Sequence, residues 1–352
     1  MQDKKRKRVA IIFGGCSPEY GVSLQSAYAV IAHLDREKYE SVLVGISAEG
    51  RWYEFHGKEE RIAEDTWCNE EDCIPAAVSP DRVGGGLLLF KDGKVEKKEI
   101  DAAFPILHGS NGEDGTVQGM FELAGIPVVG CGTLASALCM DKDRAHRLVS
   151  LEGIRTPGSF VIERDADRAQ TLQRAEALGY PLFVKPVKAG SSYGITRVTE
   201  AEGLPEAIEA ALAYDRRVII EEEIAGFEVG CAVMERNGLV MGEVDEIELS
   251  GDFFDFDEKY TLKSSVIHVP ARIGREKAKE VKQAAAVIYR ALDCRGFARV
   301  DMFLTGEGEI VFNEVNTIPG FTAHSRFPNM MKAAGVSFGE ILDAVMDGVS
   351  DR

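Results

Sequence analysis

The sequence lacks long apolar runs and any excess of basic residues. No stretch reaches the ~18 consecutive apolar residues of a membrane span, and the basic start is followed by no apolar leader with a cleavage site. We therefore expect a cytoplasmic protein. Lys and Arg number 41 against 58 Asp and Glu, a net charge of −17. This balance argues against nucleic acid or a membrane as the main partner, and the basic run at residues 4–8 fits a solvated tail better than a binding patch.

The seven cysteines form no recognisable pattern. Their number is odd, and neither a CxxC pair nor a Cys/His spacing typical of zinc is present. The sequence therefore predicts reduced thiols that serve mainly in packing, and neither a disulfide scaffold nor a zinc site.

Two nucleotide-binding fingerprints are also missing. The first apolar run, RVAIIF, ends in GGCSPEYG rather than GxGxxG, and no GxxxxGK[ST] occurs. The first turn therefore gives only weak support to an NAD-dependent dehydrogenase, with Glu49 as the single acid after the second strand. An ordinary turn that binds no phosphate is the simpler interpretation.

The order of periodic segments indicates several α/β units. At 352 residues the chain exceeds the ~250–300 residues at which single cores stop growing, so two or three domains are expected. A strand, a helix over 22–34 and a second strand at 41–46 form a parallel unit, and the polar region 50–98 predicts hairpins and loops. A long helix over 133–153, a second α/β unit from residue 160 and a helix over 275–292 follow. No internal repeat is present.

The strongest chemical signal is a pair of strands around TGEGE. Alternation places Arg299 and Asp301 on one face of the first strand, and Glu314 and Asn316 on one face of the second. With an even number of loop residues the two faces coincide. A four-residue loop then sets Asp301 opposite Glu314, and a two-residue loop sets it one pair away. Two carboxylates and an amide oxygen suit Mg²⁺ bridged to phosphates, while Arg299 suits an oxyanion. The alternative is a solvated strand face with a salt bridge.

A second signal joins a lysine to a glycine-serine loop. In LFVKPVKAGSSYG a strand delivers Lys185 to a loop whose backbone amides can bind phosphate. Lys142 upstream and the carboxylates downstream make a nucleoside triphosphate the simplest common ligand. Glycine-serine loops are also common as plain turns.

The segment 251–265, GDFFDFDEKYTLKSS, is too apolar for a solvated loop and too charged for a core strand. It follows a series of alternating strands, and its composition indicates that it covers another part of the protein or a ligand.

Taken together, these motifs resemble the D-alanine–D-alanine ligase family of the ATP-grasp superfamily. The resemblance lies in LFVKPVKAGSSYGITRV, IIEEEIAGFEVGCAV, FFDFDEKY, GFARVDMF and IVFNEVNTIPGF, and extends toward the N-terminus through FGGCSPEYGVSLQSA, LHGSNGEDGTVQG and ALCMDKD. It spans nearly the whole chain except residues 50–98. It implies α/β and α+β architecture in the three domains of an ATP-grasp enzyme. These are a Rossmann-like N-terminal domain at 1–130, a central domain at 131–225, and a C-terminal domain at 226–352 with a lid at 249–265.

The resemblance implies a two-step ligation that uses ATP and two Mg²⁺ ions, with Mn²⁺ as an alternative. The carboxylate of D-alanine attacks the γ-phosphate, and the amine of a second D-amino acid then attacks the acyl phosphate. The implied ATP-binding residues are Lys142, Lys185, Ser192, Glu221, Glu222, Ile224, Glu228, Phe253 and Lys259. At Glu222 only a backbone role is expected, because family members often carry lysine there. The implied metal ligands are Asp301, Glu314 and Asn316.

The remaining implied residues bind the amino acids. Arg299 and the Gly320 amide match the oxyanion site, Glu19 matches the acid that binds the first ammonium group, and Ser191 and Tyr260 would link Glu19 to the lid. Alone, Glu19 reads as a helix-entry carboxylate, and His108 as either a first-substrate neighbour or a strand cap. His108, Phe254, Ser325 and Arg326 complete the implied substrate set.

The second substrate is predicted from departures within the resemblance. D-alanine–D-alanine ligases usually carry tyrosine at the position of Phe254 and leucine at that of Arg326, whereas Lys259 and Tyr260 favour an amine over D-lactate. The pattern resembles the D-alanine–D-serine ligases of the vancomycin-resistance group, with ordinary D-alanine–D-alanine ligation as the alternative. The family also implies a homodimer. A nucleotide-binding scaffold without activity is disfavoured by the complete set of Arg299, Asp301, Glu314 and Asn316.

Overall fold

The computed structural model describes residues 6–190, 193–249 and 265–349. Its helices are α1 Tyr20–His33, α2 Glu60–Ala63, α3 Thr116–Leu123, α4 Thr133–Met140, α5 Lys142–Leu151, α6 Arg168–Leu178, α7 Leu204–Leu212, α8 Arg275–Ala291, α9 Arg326–Ala333 and α10 Phe338–Asp347. Its strands are β1 Lys7–Gly14, β2 Tyr39–Ile46, β3 Trp52–Phe55, β4 Cys73–Val78, β5 Gly86–Lys91, β6 Lys94–Glu99, β7 Ala102–Pro105, β8 Ser159–Glu163, β9 Leu182–Pro186, β10 Thr196–Val198, β11 Arg217–Glu222, β12 Gly226–Glu235, β13 Leu239–Met241, β14 Asp245–Leu249, β15 Ser265–His268, β16 Phe297–Thr305 and β17 Ile310–Asn316.

The first sheet has the strand order β6-β5-β4-β3-β2-β1-β7. The continuous apolar run of β1 lies between β2 and β7, is parallel to both, and is buried along most of its length. This confirms the predicted parallel unit, because a strand covered on both faces needs no polar alternation. Strands β3 to β6 are antiparallel, which confirms the hairpins predicted for residues 50–98.

The second sheet, β10-β9-β11-β8, is antiparallel and packs its apolar face against α6 and α7. Proline near the start of α7 suits that position because its missing amide proton would have no helical partner. The sheet holds Lys185 on β9 beside Glu221 on β11.

The third sheet contains β12 to β17, with β12 between β14 and β16, and β17 beyond β16. Helix α8 covers one face of this sheet. Its buried residues recur at intervals of three or four, which is the spacing of a single helix face. They are Val281, Ala284, Ala285, Ile288 and Tyr289.

The single helix predicted over 133–153 is wrong, because the chain breaks at Asp141. Asp141 has extended dihedral angles (φ −86°, ψ 96°), ends α4, and accepts a hydrogen bond from the Arg144 amide at the start of α5. An aspartate at this position satisfies an amide that has no helical partner. The break places Lys142 in the first turn of a new helix.

A group of phenylalanines connects the first and third sheets. Phe297 of β16 contacts Phe104 of β7, with ring centroids 6.0 Å apart, and contacts Phe321 at 5.2 Å. Phe327 of α9 packs against both Phe297 and Phe321. These fully buried rings hold the end of the third sheet against the first.

All seven cysteines are free, as predicted, and four of them are buried. Across 6–190, 193–249 and 265–349, we find no helix with the length and apolar character needed to cross a membrane.

Candidate active site

The hairpin of β16 and β17 brings together the four residues predicted from alternation. Asp301 lies opposite Glu314, and Arg299 lies opposite Asn316. Asp301 is buried and accepts hydrogen bonds from Arg299 Nε and from Asn316 Nδ2, the latter at 2.9 Å. The set therefore combines two carboxylates, an amide and a guanidinium on rigid strands.

The register of this hairpin depends on a β-bulge. Near the turn Met302 pairs with Phe312, and continuing that register would place Asp301 opposite Asn313. The shift between Asp301 and Met302 leaves Asn313 unpaired and moves Glu314 onto the face of Asp301. Four residues separate the two strands, which is one of the two loop lengths considered from the sequence, but the bulge is what sets the final pairing.

Arg326, at the start of α9, is buried among acidic side chains of the third sheet. Its Nε and Nη2 donate to both oxygens of Asp245 at 2.7 and 2.8 Å, and its Nη1 donates to Glu228 at 2.6 Å. Asp301 lies 3.4 Å from Nη2. The surrounding carboxylates raise the pKa of Arg326 against the opposing effect of burial, so the guanidinium is charged.

Asp245 is a site residue that sequence reasoning missed. It is fully buried on β14 and holds Arg326 through two hydrogen bonds. In the sequence it stands within the strand pattern VDEIEL, and nothing local marks it as a partner of a residue 81 positions away. The one feature of the sequence that could have indicated its importance is an acidic residue within a predicted core strand, because buried acids are rarely unpaired.

The two predicted phosphate-binding lysines make contacts near the end of β9. Lys185 Nζ lies 2.5 Å from Glu221 Oε2, and Lys142 Nζ donates to the Ala189 carbonyl oxygen at 2.8 Å. Both lysines are buried. Ala189 belongs to the glycine-serine loop, so both lysine contacts lie at the end of β9 where that loop begins.

Around the end of β11 and the start of β12, three of the predicted ATP-binding residues occupy different environments. Glu222 Oε1 accepts from the Gly158 amide at 2.8 Å, so its side chain is engaged away from Lys185. Ile224 lies between β11 and β12, partly buried. Glu228, on β12, is held by Arg326.

The residues predicted to bind the first substrate lie beside the end of the first sheet. Glu19 precedes α1 and is buried, and a Cβ at Gly190 would lie 3.0 Å from its Oε2. The Glu19 carboxylate therefore lies beside the start of the glycine-serine loop. His108 lies 2.9 Å from the Ile318 carbonyl oxygen through Nδ1, and burial lowers its pKa.

Glu113 is a second residue that the sequence analysis missed. It accepts from the Gly109 amide at 2.9 Å and from the Ile318 amide at 3.1 Å, linking the first sheet to the end of β17. Burial and the nearby charge of Glu19 raise the pKa of Glu113 to about 8. It lies within the quoted motif LHGSNGEDG, which was the available signal.

Gly320 and Ser325 face each other in the turn before α9. A Cβ at Gly320 would lie 2.7 Å from Ser325 Oγ, which also contacts the Thr322 hydroxyl at 2.8 Å. This close approach explains a glycine at position 320 on packing grounds alone.

Six predicted site residues lie outside the described part of the chain. They are Ser191, Ser192, Phe253, Phe254, Lys259 and Tyr260. Most of the predicted lid at 249–265 also lies outside it. The two strands on either side of this region, β14 and β15, are paired, with Leu249 opposite Ser265.

Comparison with known proteins identifies the family. The model of the D-ala D-ala ligase N-terminus matches residues 8–131, and that of the C-terminus matches residues 148–347. The chain is 44% identical to a putative D-alanine–D-lactate ligase of Streptomyces coelicolor, with 97% of each chain covered. It is 41% identical to a D-alanine–D-alanine ligase of Caldicellulosiruptor bescii, over 96% of this chain and 94% of the relative.

A solved structure is also similar over the full length. The crystal structure of the VanG D-Ala:D-Ser ligase from Enterococcus faecalis is 54% identical and gives a TM-score of 0.92, with 98% of this chain and 100% of that chain covered. The fold is accordingly that of the ATP-grasp enzymes. The chain belongs to the D-alanine–D-alanine ligase family and is an ATP-dependent ligase.

Proposed function

We propose that this enzyme joins D-alanine to a second D-amino acid, D-serine, through a D-alanyl phosphate. The observation that carries the proposal is the hairpin register, in which Asp301 faces Glu314 and Arg299 faces Asn316. This array lies on the sheet that also holds Glu228. Lys185 lies near the end of β9 in the second sheet, and Lys142, at the start of α5, donates to the loop that follows β9. Positive charge for phosphates and oxygen ligands for a metal are therefore both available, as phosphoryl transfer requires.

In each step of the proposed reaction one bond forms and one leaving group departs. A carboxylate oxygen of D-alanine bonds to the γ-phosphorus, and ADP leaves. The amine of D-serine then bonds to the acyl carbon, inorganic phosphate leaves, and the amine loses a proton. Arg299 and the Gly320 amide are proposed to stabilise the oxyanion formed in the second step. Glu19 is proposed to hold the ammonium group of D-alanine.

The donor set of the hairpin fits Mg²⁺. Asp301, Glu314 and the Asn316 side-chain oxygen are hard ligands on adjacent strands. The ions, when bound, would neutralise charge on the β- and γ-phosphates. The protein's own contribution is to hold these oxygens in register, and Arg299 and Arg326 balance the buried charge of Asp301.

The choice of D-serine rests on Phe254 and Arg326 and on the 54% identity to a D-Ala:D-Ser ligase. Phe254 lies outside the described residues. The guanidinium of Arg326 already donates to Asp245 and Glu228. We therefore propose that Arg326 influences the second substrate by fixing the backbone at the start of α9 rather than through a free donor.

Relatives of similar identity are named for D-lactate and for D-alanine, so the second substrate has to be measured. Phosphate release is followed with D-alanine alone, and with D-alanine plus D-serine or D-lactate, across pH. We expect the largest kcat/KM at the second site with D-serine. A larger value with D-alanine would assign ordinary D-alanine–D-alanine ligation, and a preference for D-lactate at low pH would assign the hydroxy-acid reaction.

Four broader features belong to the same proposal. The dipeptide would serve as a precursor in cell-wall synthesis. The enzyme's use of ATP favours a cytoplasmic location. We also propose that the three sheets correspond to domains 1–130, 131–225 and 226–352, and that the enzyme is a homodimer. Sedimentation at micromolar concentration tests the dimer.

A further inference from the structure

His146 lies one turn after Lys142 on α5 and is buried beside Glu221. Its Nε2 is 3.3 Å from the carbonyl oxygen of Asn313, the bulged residue of β17. A carbonyl oxygen can only accept, so Nε2 holds the proton and donates. The Phe312 ring packs edge-on against the imidazole, with centroids 5.6 Å apart. The tautomer and orientation of His146 are therefore both fixed.

The other ring nitrogen faces a carboxylate. His146 Nδ1 lies 3.8 Å from Glu221 Oε1, and neither atom has a hydrogen-bond partner within the described portion of the chain. Burial alone would raise the pKa of Glu221, but the charge of Lys185 holds it below its ordinary value, so the carboxylate is ionised. Two buried acceptors thus face each other.

Such a pair is unfavourable until a donor reaches it, because buried polar atoms lose their hydrogen bonds to water. A proton on Nδ1 would be one donor. Burial and the positive charge of Lys185 lower the pKa of His146, against the opposing effect of Glu221, which favours the neutral ring. A ligand that carries two N–H groups would satisfy both acceptors at once.

We propose that His146 is a base-selecting residue, whose Nδ1 accepts, together with Glu221 Oε1, the N–H groups of the exocyclic amine of an adenine nucleotide. This inference rests on the proposed nucleotide site at Lys142, Lys185 and Glu221. The two acceptors are close enough for one amino group to serve both. A 6-oxopurine would bring a third acceptor to the same place, so inosine and guanosine nucleotides would be rejected.

The test measures the affinities of ADP and inosine diphosphate by calorimetry on the full chain, without amino acids. His146→Phe retains an aromatic ring against Phe312 but removes both nitrogens. We expect it to lower the ratio of ADP to inosine diphosphate affinity about tenfold, the order expected for one lost hydrogen bond. His146→Asn, which places an amide oxygen near the position of Nδ1, should restore most of the ratio. His33→Phe, an exposed histidine on α1, is the matched control and should leave it unchanged.

An ADP to inosine diphosphate ratio in His146→Phe equal to that of the wild type overturns the proposal, and so does an equal loss of affinity for both nucleotides. Melting temperatures are measured first, and if His146→Phe does not fold, His146→Met supplies the ratio. The binding assay requires no ligation. If the wild type bound ADP selectively but formed no dipeptide, the proposed function would fail while the assignment of His146 stood.

Discussion

Asp301 lies directly opposite Glu314, although three pairs nearer the turn follow a register that would have given it Asn313. The bulge that corrects the pairing leaves Asn313 with its carbonyl oxygen toward His146. One extra residue in β17 thus both aligns the proposed metal ligands and fixes the orientation of the proposed base-selecting residue.

Removing either proposed metal ligand should abolish most activity. We expect Glu314→Gln and Asp301→Asn each to lower kcat by ~10²-fold or more, because a neutral amide no longer balances a divalent ion. Glu314→Gln should keep its melting temperature. Asp301→Asn should also lose stability, since Arg299 and Arg326 would lose a buried counter-charge. Near-normal turnover of both variants at saturating Mg²⁺ would contradict the metal assignment.

Arg326 and Asp245 should be energetically coupled. Arg326→Leu removes the buried cation that contacts Asp245 and Glu228, and we expect it to cost about 3–5 kcal/mol in the free energy of unfolding. The double variant Arg326→Leu/Asp245→Asn should cost less than the sum of the two single variants. Urea unfolding of all four proteins measures the coupling. Additive losses would show that the contact between these side chains does not matter.

The unfolding measurements on these variants also decide which variant can be used to test substrate choice. If Arg326→Leu unfolds the protein, its D-serine to D-alanine ratio is uninformative. Arg326→Lys retains a charge and is the variant in which kcat/KM for the two amino acids should be compared. Because lysine cannot make the forked contact with Asp245, we expect the ratio to fall toward unity.

Glu113 should make stability depend on pH. Its pKa is raised from 4.5 to about 8, so between these values the folded state holds a proton that the unfolded state has released. The free energy of unfolding should therefore fall as pH rises from about 5 to 8, by at most ~1.4 kcal/mol per pH unit from this group. Glu113→Gln, which is neutral throughout, should remove this component. The exposed Glu96→Gln is the control and should leave the slope unchanged. A parallel slope in Glu113→Gln would refute the assignment.

Glu222 should contribute little to nucleotide binding through its side chain. Because its carboxylate accepts from the Gly158 amide and lies 3.4 Å from Arg155, we expect Glu222→Gln to change the KM for ATP less than about twofold. Lys185→Gln should raise that KM by tenfold or more, since it removes a charge from the phosphate side. Equal effects in the two variants would place the Glu222 carboxylate in the site.

Much of the site was predictable because its signals are local. Period-two alternation placed Arg299 with Asp301 and Glu314 with Asn316, and the strand that ends in a glycine-serine loop marked Lys185. Asp245 and His146 were not predictable in this way. Each matters through a partner far along the chain, Arg326 for the first and Glu221 for the second, and no short pattern encodes such a contact.

The sequence by itself determined the strand pattern of the hairpin, the parallel unit around β1 and the family, because these depend on residue types at fixed local spacing. The tertiary structure decided the break at Asp141, where a side chain that could have continued one helix instead caps the next. It also decided the bulge at Asn313 and the burial of Arg326 among three carboxylates. Register shifts and buried charges are settled by the balance between desolvation and long-range pairing, and that balance exists only once the sheets have assembled.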